Sequence, residues 1–176
     1  MIQLLEYITN TLESLELPYM LSGSIAMNTY TTPRMTRDID IIIHLESQDV
    51  DKFVAAFEQD FYCYKPGIVE EVARRGMFNL IDNRTSYKVD FIVRKDSEYR
   101  IEEFSRKQRT NVFGFDTYVV SLEDLIISKF IWIQVLQSDQ QKEDIRNLLE
   151  SEKINTEYLI YWIKKLNLQT FNLLSL

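Results

Sequence analysis

The sequence holds one cysteine, Cys63, and one histidine, His44. A lone thiol excludes an internal disulfide, and no zinc-type Cys/His spacing is present. Both features fit a reducing, cytoplasmic setting. Glycine and proline are scarce, at 4 and 3 residues, and there is no low-complexity tract or internal repeat. Neither a Rossmann nor a P-loop glycine pattern occurs, and no nucleophile triad stands out. Basic charge is in deficit: 20 Lys+Arg against 27 Asp+Glu give a net charge of −7. That argues against duplex DNA as a partner, because such binding needs a broadly basic surface. Long hydrophobic runs are missing too. The longest, "LIISKFIWIQVL", is short and contains Lys129, so no membrane span is expected. The N-terminal "MIQLLEYITNTLE" lacks a basic leader and reads as an amphipathic helix, not a signal peptide.

What is present is 45% apolar residues over 176, enough for one domain with a small helical extension. Leu5, Ile8, Leu12 and Leu15 form a helical stripe closed by Pro18. "YMLS" predicts a short strand, and Ser24 a helix cap with the helix running to about Tyr30. "TRDIDIIIHL" predicts a strand, "SQDVDKFVAAFEQ" a helix capped by Ser47, and "VEEVARRG" a short helix. "MFNLI" and "YKVDFIV" predict strands joined by "DNRTS", with a further strand or hairpin near Gly114. From Ser121 the pattern is helical, near 121–137, 139–151 and 155–167, opening on a "SLED" capping box. The expected class is α+β: a mixed core over 1–120 and a C-terminal helical lobe over 121–176, packed as one unit.

The stretch "LSGSIAMNTYTTPRMTRDIDIIIHL" carries the chemistry. Side chains alternate along a strand, so Asp38 and Asp40 share one face and Ile39, Ile41 and Ile43 the other. Two neighbouring carboxylates raise each other's pKa unless a cation joins them, and hard oxygen ligands suit Mg²⁺. Asp90 repeats the theme inside the apolar strand "YKVDFIV". If the two strands are neighbours, three carboxylates converge on one metal site. Upstream, Gly23 lets backbone approach a ligand, and a helix starting at Ser24 favours phosphate. Phosphate beside carboxylate-bound metal is the arrangement for nucleotidyl transfer.

Gly-Ser, a helix, Asp-x-Asp in a strand and a later strand Asp resemble the polymerase-β-like nucleotidyltransferases. The blocks "TPRMTRDIDI", "FNLIDNRTSYKVDFIV", "VVSLEDLIISKF" and "QQKEDIRNLL" resemble the minimal nucleotidyltransferases related to AbiEii-type toxins of toxin–antitoxin and phage-defence systems. The resemblance implies a mixed sheet flanked by helices. It implies that Gly23, Ser24 and Arg37 bind the NTP and that Asp38, Asp40 and Asp90 hold two Mg²⁺ ions. The catalytic set is then Asp38, Asp40, Asp90 and Lys129. Gln141 stands where the toxin relatives are expected to have an acid, a departure that bears on Asp144.

Lys129 sits within the stripe Leu122, Leu125, Ile126, Ile133 and Leu136, where a lysine needs a partner or a route to water. Asp144 reads as an exposed helix residue, and His44 as structural with no visible partner. Cys63, Trp132 and Trp162 read as core or interface. The expected reaction is Mg²⁺-dependent transfer of NMP from an NTP to a hydroxyl. The acceptor is expected to be an RNA 3′ end, met by Arg34, Arg37, Arg106 and Arg109, or a protein, with an antitoxin protein as a possible partner. The alternatives are an antibiotic-type small-molecule nucleotidyltransferase and a catalytically silent nucleotide- or protein-binding module.

Overall fold

The computed structural model describes residues 1–36 and 38–174. Its centre is a mixed seven-stranded sheet in the order β3-β4-β5-β2-β1-β7-β6. The strands are β1 (Tyr19–Leu21), β2 (Ile39–Ile43), β3 (Phe61–Tyr62), β4 (Met77–Asp82), β5 (Lys88–Val93), β6 (Gln108–Val112) and β7 (Phe115–Val119). The β2–β5 and β1–β7 pairs are parallel; the other neighbours are antiparallel. The helices are α1 (Ile2–Ser14), α2 (Gly23–Met27), α3 (Val50–Phe57), α4 (Lys65–Ala73), α5 (Glu98–Ser105), α6 (Leu122–Ile133), α7 (Asp139–Leu149) and α8 (Thr156–Lys165). None is long and apolar enough to cross a membrane.

Alternation in β4 and β5 decides which face is covered. Phe78, Leu80, Val89, Phe91 and Val93 are buried, while Met77, Asn79, Ile81 and Lys88 are exposed. The buried face meets an aromatic cluster: Phe53 of α3 stands edge-on to Phe78 and Phe91, and those two rings stack at 5.3 Å. Helix α6 is buried from Leu122 to Ile127 and packs against α2, α7 and α8. Its cap forms as "SLED" predicts, with Ser121 Oγ accepting from the Asp124 amide. Asp124 is fully buried, yet Arg106 Nε donates to it at 2.9 Å and the Tyr158 hydroxyl at 2.8 Å. Arg106 also stacks 3.8 Å over the Tyr158 ring, tying α5, α6 and α8 together.

Several expectations need correction. Asp38 precedes β2 and is exposed, so only Asp40 of the pair lies inside the strand. Ser22, not Ser24, occupies the N-cap position of α2. Ser47 opens a single 3-10 turn before α3. Leu136 leaves the α6 stripe, because the helix ends at Ile133 and the chain turns toward α7; it is 63% exposed. Of the tryptophans expected in core or interface, Trp162 is in the core, while Trp132, 59% exposed, is not. Helix α5 carried too weak a pattern to find. Its inward side is Tyr99, Phe104 and Glu103, a glutamate paired with Arg100 at 2.8 Å where an apolar residue would have marked the period.

Candidate active site

Strand register places two carboxylates side by side. Asp40 of β2 is the direct partner of Asp90 of β5, and Asp90 in turn faces Asn79 of β4. Asp40, Asp90 and Asn79 therefore form a row across three strands on the less-covered face. Burial first, then the charges of Asp90 and Asp38, pushes Asp40 up to about 6; Lys129 and Lys88 offset this only in part. Asp90 has a cation of its own, Lys88 Nζ at 2.8 Å from Oδ2. Lys88 lies two residues earlier on the same strand face and so reaches it. The other oxygen, Asp90 Oδ1, is buried with no hydrogen-bond partner.

The Gly23 turn closes over Asp40. The Ser22 amide donates to the Asp40 carbonyl at 2.9 Å. Gly23 has φ +58°, and a Cβ there would lie 2.0 Å from Asp40 Oδ2. Only glycine lets the turn and the carboxylate meet so closely. Gly23→Ala should cost about 1–2 kcal/mol for the left-handed backbone alone, before any displacement of the carboxylate. Urea denaturation of both proteins checks this; equal midpoints would mean the turn relaxes without strain.

Behind the turn lies a charged network that sequence reasoning undervalued. Asp144 is not an exposed helix residue but 1% exposed, because α7 turns it toward α6. It accepts from Lys129 Nζ at 2.8 Å, Arg34 Nη2 at 3.1 Å and Gln140 Nε2 at 3.1 Å. Burial would raise its pKa, but the Lys129 hydrogen bond and charge, with Gln140 and Arg34, hold it below the ordinary carboxylate value. Gln141 Oε1 lies 3.4 Å from the same ammonium. Arg34 Nη2 also donates to Ser24 Oγ at 2.9 Å, while Arg34 Nε is buried without a partner. One sequence signal for Asp144 existed: it shares a helical face with Ile145 and Leu148, both fully buried.

Among the described residues, Asp90 Oδ1 and Arg34 Nε are the two buried side-chain atoms lacking a hydrogen bond. One is an acceptor suited to a cation and the other a donor suited to an anion. Among the described residues no three carboxylate, imidazole or thiol side chains come together as a metal site, so the expected convergence of Asp38, Asp40 and Asp90 is not found; Asp38 precedes β2 while Asp40 and Asp90 are strand partners.

Other expected residues stand elsewhere. Arg37 lies outside the described residues. Arg106 is engaged by Glu123 and Asp124, and Arg109 lies 3.6 Å from Glu13 on the edge strand β6. His44 does have a partner, Glu46 at 2.9 Å, which Arg75 also holds. Cavity volume does not mark the site either. A pocket of about 340 Å³ is lined by Glu13, Tyr19, Lys107 and Tyr118, away from the carboxylates.

Solved structures share this architecture. The lincosamide antibiotic adenylyltransferase LnuA, bound to lincomycin, is 16% identical with a TM-score of 0.56, covering 83% of this chain and 94% of its own. ANT(2″)-Ia in complex with adenylyl-2″-tobramycin is 16% identical with a TM-score of 0.58, covering 94% and 98%. An antigenic nucleotidyltransferase-like protein from Paracoccidioides brasiliensis is 16% identical with a TM-score of 0.52, covering 90% and 84%. At such identities the likeness establishes the fold, which is polymerase-β-like. No curated protein matches the chain in sequence. Residues 1–172 match the family described as "nucleotidyltransferase of unknown function (DUF6036)", a span of nearly the whole chain; the protein belongs to that family and is a nucleotidyltransferase.

Proposed function

We propose that the protein transfers NMP from an NTP to a hydroxyl acceptor with the help of Mg²⁺. The observation that carries this is two unsatisfied buried atoms, an acceptor on Asp90, the strand partner of the Asp40 that Gly23 closes over, and a donor on Arg34, which bonds Ser24. Asp40 and Asp90, with Asp38 at the exposed entrance, are the residues to hold two ions. Bound Mg²⁺ would neutralise the charge that develops on the phosphates. Ser24, Arg34 and Arg37 would take the triphosphate, and Lys129 would add positive charge while Asp144 fixes its position. The acceptor oxygen attacks the α-phosphorus in line, the bond to the bridging oxygen breaks, and pyrophosphate leaves. The acceptor proton passes to a site carboxylate, for which Asp90, with Oδ1 unpartnered, is the candidate.

The resemblance to AbiEii-type toxins supports a cytoplasmic toxin–antitoxin or phage-defence role, with an RNA 3′ end or protein hydroxyl as acceptor and an antitoxin partner. A second reading, nucleotidylation of an antibiotic-like small molecule, is favoured by specific observations. Arg106 and Arg109, expected to meet RNA phosphates, have carboxylate partners within the chain, and Arg34 is assigned to the triphosphate. The chain also overlays LnuA and ANT(2″)-Ia over nearly their full lengths.

The test is purified protein with Mg²⁺ and each α-labelled NTP in turn, offered bulk tRNA, cell protein, lincomycin and tobramycin separately. Label should move to at least one of these and only with Mg²⁺ present. NTP binding without any transfer would favour the silent module instead.

A further inference from the structure

We infer that the open face of β3, β4 and β5 is the acceptor platform, and that it takes a small hydroxylated molecule with an apolar face. The inference rests on the transferase reading of the site and deepens it. Register fixes the geometry. Asn79 is the partner of Asp90, and Met77 and Ile81 are its same-face neighbours along β4. Tyr62 of β3 is the partner of Ile81. Met77 is 53% exposed, Tyr62 59% and Ile81 36%, so three apolar side chains lie in water immediately beside the carboxylate row. The helices that bury the opposite face do not cover them. A hydroxyl presented to Asp90 from the open side has its attached body lying over these residues.

Chemistry and size choose the occupant. Tyr62, Met77, Asn79 and Ile81 carry no charge, so a polyanion lying on them would meet at most two cations: Lys88, which pairs with Asp90 until metal displaces it, and Arg84, 3.9 Å from Asp60. Three strands at about 4.8 Å spacing and four residues at about 3.4 Å rise make a patch of roughly 10 by 14 Å. That is on the order of 140 Å², far below the roughly 800 Å² per partner of a stable protein interface. It matches a molecule of a few rings, with Asn79 free to hydrogen-bond its polar edge.

The experiment divides a cell extract at a 1 kDa cut-off, gives each fraction α-labelled NTP and Mg²⁺, and compares the wild type with Met77→Thr/Ile81→Thr. Threonine keeps strand propensity, and both sites are exposed, so folding should survive. The expected result is label in the small-molecule fraction. Transfer should fall about tenfold in the double variant, the scale for removing apolar contacts from a substrate, while NTP affinity by equilibrium dialysis stays unchanged. Label confined to the macromolecular fraction would overturn the inference, as would undiminished transfer by the variant. A wild-type dimer that the variant dissociates would make the face a self-interface and overturn it too. Label in neither fraction would remove the transferase reading, and this inference with it.

Discussion

Asp40→Asn should abolish nucleotidyl transfer, by about 10²–10³-fold or more, the scale for losing one preorganised charge interaction at a reacting phosphate. The same substitution should stabilise the apo protein at neutral pH. Asp40 is raised from the ordinary aspartate value to about 6 by burial and by Asp90 and Asp38. A group whose folded pKa is raised contributes stability below its unfolded value, near 3.8, and that contribution is lost as pH climbs through about 6. Above that range the wild type carries a charge penalty that the amide lacks. The variant should therefore exceed the wild type by about 1–2 kcal/mol at pH 7, allowing for solvent screening, and the gap should close toward pH 4. Urea denaturation of both proteins across that range measures it. A gap independent of pH would mean that burial and the neighbouring carboxylates do not raise Asp40 as placed.

Asp144→Ala should be the most destabilising single change at the site. It strands Lys129, whose side chain is 8% exposed, and removes one of the two side-chain partners of Arg34 Nη2. Breaking a buried pair by deleting one partner costs about 3–5 kcal/mol. Lys129→Met/Asp144→Leu should recover much of that loss, because apolar replacement of a buried pair is often nearly neutral. NTP affinity should not recover, since the ammonium is gone. Thermal melts with and without Mg²⁺-NTP separate the two effects. If the double variant bound NTP as the wild type does, Lys129 would be a packing residue and not part of the site.

Asp40 and the second aspartate strand were legible because charge inside a β-branched, apolar strand has few explanations; Asp38 was not, because it stands one residue before β2. The sheet's order was not, since no local pattern says that β2 pairs with β5 in parallel and brings Asp40 level with Asp90. The α6 cap was readable because a Ser-x-x-Asp cap is a local device. Asp144 was misjudged because α7 is mostly polar, and its burial depends on α6 arriving with a lysine to receive it. The Lys88–Asp90 pair was visible as same-face spacing, two residues apart on one strand. The arginines were overvalued because charge alone says nothing about partners: Arg106 is bound to Asp124, a residue of the capping motif itself.

The most direct test of the account is a crystal structure with Mg²⁺ and an NTP that cannot be cleaved between its α- and β-phosphates. The account predicts metal bonded to oxygens of Asp40 and Asp90, Lys88 displaced from Asp90, and the triphosphate against Ser24 and Arg34. A triphosphate bound elsewhere, with the Lys88–Asp90 pair intact at 2.8 Å, would contradict it.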